Sequence, residues 1–136
     1  MSHNVATNGD DYLDMYPHGN KNDIVYGFDG DDQIWGGAGD DQIIGGNGSD
    51  DLIGGIGNDQ MWGEAGADRI WGEDGNDQIW GEAGVDQIVG GNGADQIVGG
   101  TGIDQIWGGA GIDTFDYWEI QSGEVKDYNS AEDTWF

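Results

Sequence analysis

A nine-residue phrase repeats ten times without a break from Gly27 to Asp116. The first copies read GFDGDDQIW, GGAGDDQII and GGNGSDDLI, and the last read GGNGADQIV, GGTGIDQIW and GGAGIDTFD. Position 1 is always Gly, position 4 always Gly, position 6 always Asp, and position 8 always large and apolar. A fixed period of this kind means one small unit per repeat, stacked on its neighbours, because a single unit cannot bury its own apolar face.

The repeat converts into geometry. Positions 1 to 6 read as a turn, with Gly permitting positive φ and close backbone approach. Positions 7 to 9, such as Gln-Ile-Trp at 33–35, read as a short strand. Strand side chains alternate, so position 8 faces one side while positions 7 and 9 face the other. The inward column is then Ile34, Ile43, Leu52, Met61, Ile70, Ile79, Ile88, Ile97, Ile106 and Phe115. Two repeats per coil bury it between two parallel sheets, at about 4.8 Å per coil, giving a core roughly 24 Å long over five coils. The expected fold is all-β: a parallel β-roll, a two-sheet solenoid with two nonapeptides per coil and terminal caps.

Composition narrows the function. A net charge of -25, with 29 Gly and one Pro in 136 residues, resembles a disordered acidic segment. Strict periodicity argues for order, so both descriptions hold under different conditions: disordered without a cation, folded with one. The only basic residues are Lys21, Arg69 and Lys126, which argues against nucleic acid or anionic membrane as a partner. No apolar run is long enough to insert in a membrane, and the start, MSHNVATNGDD, lacks the features of a cleaved secretory signal. The absence of Cys excludes disulfides and Cys-based zinc sites.

The acids recur at one phase. Asp32, Asp50, Asp68, Asp86 and Asp104 stack along one edge of such a solenoid, and Asp41, Asp59, Asp77, Asp95 and Asp113 along the other. Carboxylates about 5 Å apart repel by roughly 1 kcal/mol per neighbour in water, and by several-fold more when partly desolvated. Three basic residues cannot neutralise two such ladders. A hard divalent cation held between turns by carboxylates and by carbonyls of the Gly-rich turns can, and those are the ligands calcium prefers over magnesium.

GGxGxDx followed by an apolar residue resembles the RTX, or haemolysin-type, calcium-binding nonapeptide, over Gly27 to Asp116 at least. The resemblance implies a parallel β-roll with several calcium ions held between neighbouring turns, ligated by the ten Asp above. It also implies carbonyl ligands from the position-4 glycines Gly30, Gly39, Gly48, Gly57, Gly66, Gly75, Gly84, Gly93, Gly102 and Gly111. It implies export by a type I secretion system, with folding outside the cell or at its surface. Phe28, Glu64, Glu73 and Glu82 depart from the pattern by replacing Gly at position 2, which puts the affinity of those turns in question.

Residues 1–26 read as degenerate repeats forming an N-terminal cap, in which Met15-Tyr16-Pro17 interrupts the period and Lys21 stands where Gly belongs. Residues 27–116 form the roll, and 117–136 an aromatic, acidic C-terminal cap. Its final Asp133-Thr134-Trp135-Phe136 is similar to the ending of type I signals. Position 7 is mostly Gln, suited to amide ladders. Position 9 is apolar in nine repeats, placing Trp35, Trp71 and Trp107 on one sheet and Trp62 and Trp80 on the other. Such stripes either support strand formation, serve self-association, or stack on sugar rings of an extracellular polysaccharide. The only histidines, His3 and His18, lie in the irregular N-terminal stretch, so no catalytic residue is assigned and no enzymatic activity is expected. The reading is a secreted calcium-binding structural module that folds on calcium and self-assembles; the alternative is a calcium-dependent carbohydrate-binding module using the Trp rows.

Overall fold

The computed structural model describes residues 3–5, 8–15, 19–116, 118, 122, 124–129 and 132–136. Consecutive repeats alternate between two parallel sheets. The first sheet runs β1 (His3–Val5), β3 (Ile24–Asp29), β5 (Gln42–Asn47), β7 (Gln60–Gly66), β9 (Gln78–Gly84), β11 (Gln96–Thr101), β13 (Thr114–Phe115) and β14 (Thr134–Trp135). The second runs β2 (Tyr12–Asp14), β4 (Gln33–Ala38), β6 (Asp51–Ile56), β8 (Arg69–Asp74), β10 (Gln87–Asn92) and β12 (Gln105–Ala110). Within the repeats, every paired strand residue meets its equivalent one coil on, so Ile34 lies beside Leu52 and Leu52 beside Ile70. This is the expected β-roll.

The column at position 8 is the core. Ile34, Ile43, Leu52, Met61, Ile70, Ile79, Ile88, Ile97, Ile106 and Phe115 are all 0% exposed, with Val25 and Met15 extending the column at the N-terminal end. Burial of each aliphatic side chain contributes about 1.5–3 kcal/mol. The Tyr16-Pro17 part of the interruption and His18 lie outside the described residues. The three-residue insertion is nevertheless visible in the hydrogen bonds. The N–H of Asp11 donates to a carboxylate oxygen of Asp32, 21 residues on, where every pair within the repeats is 18 apart.

The strands are longer than the expected three residues. Most cover six, from position 7 through position 3 of the next repeat, leaving only positions 4 to 6 as the turn. Glycine at position 2 makes this possible: Gly46 has φ 125° and Gly55 φ 114°, so the chain bends without leaving the ladder. The register passes over position 1, pairing Ile44 with Trp62 and then Gly46 with Glu64. Phe28, Glu64, Glu73 and Glu82 adopt the same left-handed conformation at φ 73–79°, and each turns an exposed side chain outward. For a residue with a Cβ this costs about 1–2 kcal/mol.

The outer rows pack on themselves. Gln42 Nε2 donates to Gln60 Oε1 (3.2 Å) and Gln60 Nε2 to Gln78 Oε1 (3.1 Å), forming the amide ladder. On the other sheet Asp51 and Arg69 replace Gln and form a bidentate pair, with both bonds at 2.6 Å. At position 9, Trp62 and Trp80 stack at 5.1 Å between centroids with 5° between planes, and Tyr12 meets Trp35 edge-on. The expected bare tryptophan stripe is therefore corrected. Trp35 is 38% exposed, and Trp62, Trp71, Trp80 and Trp107 are half-buried, because neighbouring side chains one coil apart cover each other's flanks.

Because Ile70 sits mid-column with neighbours above and below, Ile70→Ala should destabilise the fold by about 2–5 kcal/mol even at saturating calcium. Urea unfolding in excess calcium checks this; full rescue by added calcium would remove position 8 from the core.

Candidate metal centre

The turns at positions 4 to 6 line the two long edges of the roll, and the Asp at position 6 folds its side chain inward. All ten, from Asp32 to Asp113, are 0–2% exposed. Each uses one oxygen identically: Oδ1 accepts the backbone N–H of the equivalent Asp one coil earlier. Asp50 N donates to Asp68 Oδ1 and Asp68 N to Asp86 Oδ1, both at 2.9 Å, while on the other edge Asp59 N reaches Asp77 Oδ1 at 2.8 Å. The structure thus brings together the two predicted ladders, Asp32–Asp50–Asp68–Asp86–Asp104 and Asp41–Asp59–Asp77–Asp95–Asp113.

The second oxygen is the unusual one. From Asp32 to Asp104, every position-6 Oδ2 is buried without a hydrogen-bond partner. From Asp32 to Asp95 its neighbour is another acceptor. A Cβ built on Gly63 would lie 2.5 Å from Asp68 Oδ2 and 2.8 Å from the carbonyl oxygen of Gly81, one coil on. Gly54 shows the same pair, Asp59 Oδ2 at 2.5 Å and the Gly72 carbonyl at 2.9 Å. Two acceptor oxygens face one small space with no donor between them, an arrangement that needs a proton or a cation.

The position-4 glycines occupy the adjoining gap. The carbonyl oxygen of Gly57 lies against Cα of Gly75, so closely that a side chain there would collide with it, and Asp77 Oδ1 is 3.3 Å from the same point. The carbonyls of Gly30, Gly39, Gly48, Gly66, Gly75, Gly84 and Gly93 are placed in the same way beneath the next coil. Gly102 and Gly111 belong to the last full coil, where no further position-4 glycine follows. The position-1 carbonyls were missed from the sequence, although their signal was present in the invariance of that glycine, which a Cβ would drive into Oδ2. Among the described residues no three His, Cys, Asp or Glu side chains cluster to hold a metal by themselves. The available donors mix carboxylate and carbonyl oxygens, all hard, which fits calcium.

A family model described as the RTX calcium-binding nonapeptide repeat, in four copies, matches at residues 19–43, 26–61, 44–79, 53–88, 62–97 and 89–118. The chain belongs to this family. Comparison with curated proteins gives no match.

The RTX ladder carries its own electrostatic demand. Burial pushes the carboxyls of Asp59, Asp68 and Asp95 up to about 7, and those of Asp50, Asp77 and Asp86 up to about 6. Desolvation is the main cause, partly offset by the accepted backbone N–H, while neighbouring carboxylates generally add to the rise. Asp32, Asp41, Asp104 and Asp113 are raised for the same reason. Burial thus disfavours the ionised form of every one of these groups in the fold, and a cation at the carboxylates would oppose that effect.

The sign of the pH response follows. These groups hold protons more tightly folded than at the ordinary value of 3.8, so the cation-free fold is weakest above about pH 7. It should regain stability as pH falls from 7 toward 4 and gain little below that. In chelator, far-ultraviolet circular dichroism should show more β structure at about pH 4.5 than at about pH 7.5; the opposite trend would contradict the burial of these carboxylates.

Proposed function

We propose that the chain is a secreted structural module which folds as calcium fills the gaps between its coils, and which acts outside the cell or at its surface. The observation that carries this reading is the row of buried, unpartnered Oδ2 atoms facing carbonyl oxygens. In this reading the ten position-6 aspartates are the anionic ligands, and the carbonyls of the glycines at positions 4 and 1 complete the oxygen shell. Calcium supplies the positive charge that the chain's three basic residues cannot. Type I export fits the same chemistry, since a chain that cannot close without calcium stays unfolded where calcium is scarce.

Self-association is the second element of the proposal. Val85, Ile103 and Ile112 are 57–76% exposed on the turns of the later coils, and Trp135 is 56% exposed at the end of the inward column. These apolar groups favour contacts at the C-terminal end of the roll. The carbohydrate reading draws less support from Trp62 and Trp80, whose stacked rings cover one another's faces. It rests on Trp35, Trp71 and Trp107 of the other sheet.

Titrating calcium into chelated protein should produce β structure cooperatively at millimolar concentration, with magnesium far less effective. Asp68→Asn should shift the transition to higher calcium, since it removes a charge shared by neighbouring coils. A β signal unchanged in chelator at neutral pH would refute the calcium requirement. Light scattering on the same samples should rise with calcium if the roll self-assembles, and an unchanged monomer signal would confine it to monomeric scaffolding.

A further inference from the structure

Asparagine followed by glycine is the dipeptide most prone to losing its side-chain amide spontaneously, and the roll carries it twice at one phase. Asn47 ends β5 and Asn92 ends β10, each at position 3 and each followed by the position-4 glycine, Gly48 or Gly93. In the reaction the glycine backbone nitrogen attacks the side-chain carbonyl carbon. The displaced amide nitrogen takes the glycine N–H proton and leaves as ammonia. Water then opens the cyclic imide on one side or the other. The products are aspartate and isoaspartate, in which the backbone runs through the side chain and gains a methylene.

The fold ties down both the nucleophile and the leaving group. The N–H of Gly48 donates to the carbonyl oxygen of Ala65, and that of Gly93 to Ala110, both at 2.8 Å. From the other side, Asn47 Nδ2 donates to Asp29 Oδ1 at 2.7 Å and Asn92 Nδ2 to Asp74 Oδ1 at 2.8 Å. The backbone is paired on both sides as well, Asn47 with Asp29 and Ala65, Asn92 with Asp74 and Ala110. The carbonyl of Gly30 lies against Gly48, and that of Gly75 against Gly93, which blocks the swing that ring closure needs. Both asparagines are exposed to water, so the ladder alone withholds them from reaction. Aspartate fits this phase, as Asp29-Gly30 and Asp74-Gly75 show. At residues 47 and 92, however, it would turn a hydrogen bond to Asp29 or Asp74 into a like-charge contact. Isoaspartate disrupts more, because its extra backbone atom falls shortly before Asp50 and Asp95 and displaces them from the aspartate ladder.

We propose that Asn47 and Asn92 are deamidation sites which the folded roll keeps closed, and that their conversion in the unfolded chain leaves the adjoining coils unable to form. Protection rests on the hydrogen bonds above; the calcium reading enters only in what opens and closes the roll in solution. A chain held without its cation loses folding competence with time, and a chain that folds keeps it.

The test ages the protein at neutral pH in calcium, in chelator, and in guanidinium chloride with chelator, while circular dichroism records the fold of each sample. Heavy-oxygen water marks each converted residue by mass. Cleavage after Lys21, Arg69 and Lys126 places every Asn-Gly of the chain on a peptide of its own, with Asn8-Gly9 on the first. In denaturant all three should convert at similar rates. In calcium, Asn47 and Asn92 should convert about tenfold or more slowly than in denaturant. Any sample with full β structure that converts them at the denatured rate would overturn the proposal. A chelator sample that keeps both its β structure and its asparagines would refute the calcium requirement and leave the protection standing. After ageing unfolded, the parent should recover progressively less β structure when calcium is restored. The double variant Asn47→Ala, Asn92→Ala should keep its recovery, since alanine already stands at position 3 in Ala38, Ala65, Ala83 and Ala110. An equal decline in parent and variant, or full recovery of fully converted parent, would overturn the proposal.

Discussion

Two oxygens with no proton between them set the terms for the whole molecule. From Asp32 to Asp95 the second carboxylate oxygen of the position-6 aspartate is buried against a position-1 carbonyl of the following coil. The first oxygen is already used, receiving the N–H of the aspartate one coil back. That bond aligns the ladder and holds the second oxygen in place. The sequence therefore builds a roll whose hydrogen bonds, strands and core all converge on a geometry that is unfavourable until positive charge enters. The aliphatic column that opposes this cost is thin, one side chain per repeat.

Glycine is what lets the oxygens approach each other. At position 1 a side chain would strike the carboxylate and the carbonyl together, as the surroundings of Gly54 and Gly63 show. At position 4 it would strike the carbonyl of the coil below, as at Gly75, whose φ of 151° also disfavours other residues. The positions where glycine is absent are informative. Position 2 bends with positive φ, but its side chain points to solvent, so Glu64, Glu73 and Glu82 are accommodated at the expense of backbone strain. This is why position 2 varies while positions 1 and 4 do not.

The period made the core, the parallel pairing and the two aspartate ladders legible, because each follows from a fixed residue class at a fixed phase. Strand length was not legible. Glycine-rich sequence reads as turn, yet positions 1 to 3 stay in the strand because positions 2 and 3 pair with the neighbouring coil, a tertiary effect that local propensity omits. The position-1 carbonyls were missed because a backbone oxygen shows only indirectly, here through the invariance of the glycine beside it. Tryptophan exposure was overestimated for a related reason: side chains 18 residues apart in sequence lie side by side, as Trp62 and Trp80 do.

The C-terminal end shows the same chemistry solved without a cation. Asp133 accepts the N–H of Asp113 through Oδ1, as an eleventh ladder member would, but its Oδ2 accepts the N–H of Asn129. Asp127 likewise spends its two oxygens on the N–H groups of Gly108 and Gly109. Thr134 and Trp135 then pair in parallel with Thr114 and Phe115, so the tail continues one sheet by a further strand. Outside the period, the chain is free to supply a backbone donor for each carboxylate oxygen. Inside it, eighteen-residue translation repeats every group identically, and the donor that would satisfy Oδ2 is committed to the ladder in every coil. The unpartnered carboxylate oxygens are thus a consequence of periodicity itself, and they end where the repeat ends.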